Sequence, residues 1–301
     1  MNSGRAIMHP ALAFVIFAWG LNFTAIKLVY LGFSPAAGGL LRYCLMVPLL
    51  LAWCFIAKVP LKYPKGKVMQ TNMAGFWGSG VYMVVFLEGM RLANPAHAAA
   101  ALATAPVWTV LFSALTKHDK LTWRLGLGSM IAYLGVFTMS VAGGSERGEL
   151  LGTVLVAVSA IVWAWSVICY RHLMPEQQPL QALTLSFPGA MAVMAAYGLT
   201  RLVRTDFAAV PERAWWAMAY FAVVAGVLAF AAYYRGLRDV GPAMTSLTQF
   251  FIPPTAAIGA WLLLGNPIGW PEWLGLGLVT LGTYVCSGGR RQAVPRVNTS
   301  E

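Results

Sequence analysis

Two tryptophans stand where tryptophan is unusual. Trp19, in Trp19-Gly20-Leu21-Asn22-Phe23, and Trp163, in Trp163-Ala164-Trp165-Ser166, fall near the middle of long apolar runs. Membrane proteins ordinarily keep this side chain at the water interface, where the indole is half wet. An indole at mid-run either packs against lipid and neighbouring helices or forms the wall of a cavity for apolar or aromatic groups, and the second reading is the favoured one. Tyr82 and Phe86, one helical turn apart, extend such a wall. Tyr234 extends it too, or else anchors a helix at the interface.

Polar groups inside apolar runs are costly unless they are paired or face water. Asn22, Thr104, Ser166, Thr245, Thr248 and Gln249 are the candidates to orient the ammonium and carboxylate of an amino acid. A serine or threonine in a helix satisfies itself on a preceding carbonyl, so Asn22 and Gln249 are the favoured cavity groups. His97 reads equally as helix-start polarity or as a substrate contact. Glu88 and Arg91 have the spacing of an i,i+3 pair at the water edge. Lys27 and Arg42 are expected to snorkel to the interface, with attraction of an anionic substrate as the less favoured role.

Chemistry of other kinds finds no motif. The sequence lacks a Gly-x-x-x-x-Gly-Lys-Ser/Thr phosphate loop, a His-Glu-x-x-His pair and a Gly-x-Ser-x-Gly nucleophile turn. No enzyme activity, cofactor or metal is therefore expected. The four cysteines lie inside apolar runs without zinc-type spacing and read as packing residues.

These residues need elements to hold them. The chain is 59% hydrophobic and 10% charged, against roughly 25% charged residues in a soluble domain. Ten apolar segments of nearly bilayer-spanning length follow one another. They cover 10–31, 36–57, 71–92, 95–116, 121–142, 150–170, 180–200, 214–235, 242–264 and 270–287. Strand-type alternation is missing from them, so each is expected to be a helix. The first run reads as an uncleaved span rather than a signal peptide.

The net charge of +11 does not point to nucleic acid, because the basic residues cluster in short loops. With ten spans, fourteen of the lysines and arginines lie on the side shared by both termini and five on the other. The positive-inside rule then makes both termini cytoplasmic.

The chain also contains one stretch twice. Phe86–Pro106 and Tyr233–Pro253 align without a gap through Gly89/Gly236, Arg91/Arg238, Pro95/Pro242, Ala96/Ala243 and Pro106/Pro253. The same register pairs Gly128 and Gly135 with Gly275 and Gly282. Two five-span units, 1–147 and 148–301, would cross the membrane in opposite senses because five is odd. The expected fold is thus an all-α integral membrane protein, with ten transmembrane helices as two inverted-topology five-helix repeats around a central cavity. The paired glycines suit close helix contact and mark the fifth and tenth spans as scaffold. Pro95, Pro106, Pro242, Pro253 and Pro254 are expected to relieve or kink cavity helices.

The Trp-Gly-x-Asn-Phe of the first span, the arginine early in the second and the Gly-x-x-x-x-x-Pro hairpins resemble the drug/metabolite transporter superfamily. The similarity is to its ten-helix EamA branch and covers essentially the whole chain. It implies a basket in which the third, fourth, eighth and ninth helices surround the cavity. It also implies export of amino acids or similar small metabolites across a bacterial inner membrane. Abundant Trp and Tyr near the midplane favour aromatic and other large neutral amino acids. The small four-helix relatives carry a glutamate in the first helix; Leu21 and Asn22 stand there in this chain, so their proton chemistry does not carry over. Carriage of nucleotide sugars or sugar phosphates is the nearest rival reading, and a membrane-embedded enzyme or lipid-handling protein is the more distant one. Lipid bilayer and a small-molecule substrate are the expected partners.

Overall fold

A computed structural model of the chain describes residues 9–63, 65–116, 123–139, 147–173, 179–240 and 251–287. Among them the secondary structure is helical, without a strand. In order the helices are α1 (Pro10–Val29), α2 (Pro35–Ile56), α3 (Val68–Gly75), α4 (Tyr82–Leu92), α5 (Pro95–Leu102), α6 (Ala105–Leu115) and α7 (Trp123–Phe137). They continue as α8 (Arg147–Leu173), α9 (Pro179–Val203), α10 (Glu212–Ala219), α11 (Ala229–Val240), α12 (Ile252–Leu264) and α13 (Trp270–Ser287). Among the described residues, five helical stretches are long and apolar enough to cross a membrane: Pro10–Val29, Pro35–Ile56, Arg147–Ser166, Leu180–Val203 and Glu212–Tyr233. Phe17, Phe55, Phe137 and Leu262, each more than half exposed, put apolar side chains on the outside. A bilayer is the solvent that such an exterior suits.

Local sequence explains several helix ends. Pro35 and Pro95 open α2 and α5, where a missing N–H costs nothing. Ser34 and Asn94 cap them by accepting from Ala37 and Ala96 N–H at 3.2 and 2.9 Å. Gly265 ends α12 at φ 71°, a left-handed conformation that glycine adopts without a Cβ clash.

Two features depart from straight spans. α3 joins α4, and α10 joins α11, through π-helical segments, Phe76–Val81 and Tyr220–Leu228. Under the ungapped register of the repeat, the first segment falls wholly on the second. A main-chain carbonyl in each accepts from an aromatic side chain: Ser79 from the Tyr43 hydroxyl at 2.6 Å, Ala225 from the Trp19 indole at 3.1 Å. Widened turns take carbonyls off the regular helical ladder, and these bonds return a partner inside an apolar environment. The second departure is a break at Ala103–Thr104 that splits 95–116 into α5 and α6. Pro106 enters just after the break, and Pro95 begins a helix rather than kinking one. Pro253 stands near the start of α12, whose first residue Ile252 is the repeat mate of Ala105, the first of α6. Pro242 lies outside the described residues.

The main core is built where α1, α2, α4, α9 and the Tyr220–Leu228 segment meet, with Ile26, Leu40, Leu87, Met194 and Phe221 at its centre. α7 and α13 pack on each other at one side. Built on Gly135, a Cβ would stand 2.6 Å from the Gly275 carbonyl oxygen and 2.7 Å from the Val279 nitrogen. Gly282 lies as close to Gly128 and Ala132. Backbone thus touches backbone along this crossing, which only small residues permit.

Candidate functional site

Aromatic side chains from three helices join into one wall. Trp163 of α8 lies 5.1 Å, centroid to centroid, from Tyr82 of α4; Tyr82 stacks on Phe86 at 5.8 Å, and Phe86 meets Phe23 of α1 edge-on at 5.9 Å. Each pair has the offset or tilted geometry that rings favour. Trp19, one turn before Phe23, packs against Phe230 and Tyr233 of α11 at 5.2 and 5.1 Å. The two expected tryptophans therefore pack on helices that are mates under the repeat register: Trp163 on α4, Trp19 on α11. Tyr82, Phe86 and Trp163 are brought together as expected. Sequence reasoning misses Phe23, Phe230 and Tyr233, although the four-residue step from Trp19 to Phe23 is a signal for a shared helix face.

The polar candidates divide. Asn22 keeps its side-chain Oδ1 buried without a donor among the described residues, and so does the Oγ1 of Thr24. Buried acceptors are ordinarily satisfied, so Asn22 is a group in want of a partner. Thr104 donates to the Ala101 carbonyl at 2.7 Å and Ser166 to Trp163 at 2.7 Å, the local bonds expected of such residues. The backbone of Tyr234 belongs to α11 but its side chain is not described, and Thr245, Thr248 and Gln249 lie outside the described residues.

His97 lies at a helix start. It is the third residue of α5, 3% exposed, with Nδ1 2.9 Å from Glu149 Oε1 and Nε2 3.8 Å from Glu272 Oε1. Each glutamate is itself the third residue of its helix, α8 and α13. Three helix N-termini thus converge on the imidazole, where acidic groups are favoured by the peptide dipoles. Nearby, Arg91 pairs with Glu88 at 2.9 Å, Tyr197 donates to Glu88, and Lys27 Nζ donates to the Arg91 carbonyl at 3.2 Å. This end of the bundle is a polar lattice.

Arg42 departs from the snorkelling arrangement. It is 5% exposed, with its guanidinium carbon 4.0 Å from the ring centroid of Phe221 and Nη1 3.5 Å from Met83 Sδ. Its Nε has no partner among the described residues. Gly39, three residues earlier on the same face of α2, accounts for the burial. A Cβ there would strike Leu87 and Met194, so this face is pressed onto α4 and α9 rather than turned to lipid. A cleft of about 370 Å³ lies elsewhere, between α9 and the Phe76–Val81 segment, lined by Val84, Val193 and Tyr197 among others.

Known proteins are similar to this chain in sequence and in fold. The sequence profile of the EamA-like transporter family matches residues 7–141 and 150–288. The "Uncharacterized inner membrane transporter YedA" of Escherichia coli (strain K12) is 27% identical over 295 residues, covering 92% of each chain. A "Probable terminal-alkyne amino-acid exporter" of Streptantibioticus cattleyicolor is 25% identical over 260 residues, covering 85% of each. One solved crystal structure superposes with a TM-score of 0.64 at 17% identity, covering 95% of this chain and 98% of its own, which speaks for the fold alone. With both matched stretches together taking in most of its length, the chain belongs to the EamA-like transporter family.

Proposed function

We propose that the protein is a secondary carrier that exports aromatic and other large neutral amino acids across the bacterial inner membrane by alternating access. The observation that carries this reading is the wall Phe23–Phe86–Tyr82–Trp163, a continuous set of ring contacts shared by three helices. A wall of this kind suits a large apolar side chain, and Asn22 Oδ1, buried and without a donor among the described residues, suits an ammonium group. The probable terminal-alkyne amino-acid exporter among the relatives supports amino acids as the kind of substrate. Asn22, Phe23, Tyr82, Phe86 and Trp163 are the proposed contacts, with Trp19 of the first half and Tyr234 and Gln249 of the second completing the site. His97, Thr104 and Ser166 act in this reading through helix ends and turns.

Alternating access rests on two inverted five-helix halves, 1–147 and 148–301. Support comes from the two stretches matched by the family profile, from the paired π segments at repeat-equivalent positions, and from the corresponding starts of α6 and α12. Inverted halves let the two conformations exchange as mirror partners around a fixed site. Reporter fusions after Lys65, after Lys120 and at the C terminus should all read cytoplasm, and a fusion within 143–149 should read the outside. A cytoplasmic signal from that loop would break the inverted arrangement.

The functional test uses purified protein in liposomes, loaded with radiolabelled tryptophan, threonine or a nucleotide sugar, with and without a pH gradient and ATP. Counterflow of tryptophan is expected, ahead of threonine and independent of ATP. Transport of the nucleotide sugar in preference to either amino acid would sink the reading.

A further inference from the structure

We propose that Arg42 is an anion-recognition site that takes the singly charged carboxylate group of the transported substrate rather than a phosphate. The proposal deepens the reading above and rests on it for the substrate class. Arg42 is more than nine-tenths buried, and no carboxylate among the described residues pairs with it. A lone guanidinium taken out of water carries a large desolvation cost unless an opposite charge joins it. Its present neighbours offset little of that: a phenyl face at 4.0 Å and a thioether sulfur at 3.5 Å, the second a weak acceptor.

The geometry restricts the missing partner. The Phe221 ring, 4.0 Å from the guanidinium carbon, closes that side to an anion, and an anion is best met along the guanidinium plane, where the N–H bonds point. The unpartnered Nε and an adjacent Nη form the edge that a planar carboxylate meets with two parallel hydrogen bonds. Charge restricts it further. One fixed cation and one carboxylate make a neutral buried pair, whereas a phosphate monoester dianion would leave a net negative charge in the apolar interior. Met83 follows Tyr82 in α4, so the guanidinium adjoins the same turn that carries the aromatic wall. A substrate held by its carboxylate at Arg42 has an aromatic surface within that turn for its side chain.

The test reads ligand-induced shifts of thermal unfolding, and the dissociation constants they yield, for purified full-length protein in detergent. Four probes are used: tryptophan, indole-3-propionate (no ammonium), tryptamine (no carboxylate) and phenyl phosphate. Wild type should bind the two carboxylates and not tryptamine or phenyl phosphate. Arg42→Gln should bind both carboxylates about 10–100-fold more weakly, the range for losing a charged hydrogen-bond partner. Arg42→Lys, which keeps the charge but not the fork, should fall between. A merely structural arginine would lower the unfolding temperature of the apo variants and leave the dissociation constants unchanged, and that result overturns the proposal. So does preferential binding of phenyl phosphate or tryptamine, or failure of wild type to bind either carboxylate. Arg42-dependent binding of indole-3-propionate without any transport of amino acids would keep this site and remove the exporter reading instead.

Discussion

Replacing Trp163 with alanine should lower tryptophan transport relative to threonine transport by about 10–200-fold, the discrimination an apolar pocket contact supplies. The indole meets Tyr82 at 5.1 Å on the inner side of α8, so truncation removes a surface that only a large side chain uses. Trp165, two residues on and 46% exposed, provides the control: Trp165→Ala should leave the tryptophan-to-threonine ratio at the wild-type value. Counterflow at matched protein content measures both. If Trp163→Ala keeps the wild-type ratio while lowering all fluxes alike, the tryptophan holds helices together and is not a selectivity wall.

Gly135→Leu should destabilise the fold by about 3 kcal/mol, the upper end of the usual cost of overpacking. What a new side chain meets at Gly135 is backbone, the Gly275 carbonyl and the Val279 nitrogen, which cannot rotate aside as a flexible side chain can. α7 and α13 must separate to admit it. Gly277 lies on the same helix as Gly275 but faces open space, and a Cβ there would meet nothing within 4 Å. Gly277→Ala should therefore be neutral or slightly stabilising, since alanine is the better helix former. Thermal unfolding of the detergent-solubilised variants, followed by loss of the monodisperse peak, separates the two. Equal stability for Gly135→Leu and wild type would remove the close-contact account of this crossing.

Composition and periodic repetition determined a good deal by themselves. Apolar runs of bilayer length leave helix as the backbone's way to satisfy its own polar groups, so helix was legible in these runs, in some of them nearly to its ends. Trp270–Ser287 appears as expected, and Pro10–Val29 ends two residues early. The ungapped repeat marked the glycines of α7 and α13 as contact points, because a residue without a side chain has one plain use on an apolar helix. The i,i+3 pair of Glu88 and Arg91 followed from helix geometry alone.

Other features were decided by tertiary structure. The π segments leave no hydrophobic signature, since one extra residue in a turn changes the hydrogen-bond ladder and not the composition. The convergence of His97, Glu149 and Glu272 joins helix starts that are far apart in the chain. Arg42 is the sharpest case. In a soluble protein an amphipathic pattern tells the buried face from the wet one, but lipid tails and a protein interior are equally apolar, so the sequence of α2 does not say which way its arginine turns. Packing of Gly39 against Leu87 and Met194 turned it inward, beneath Phe221.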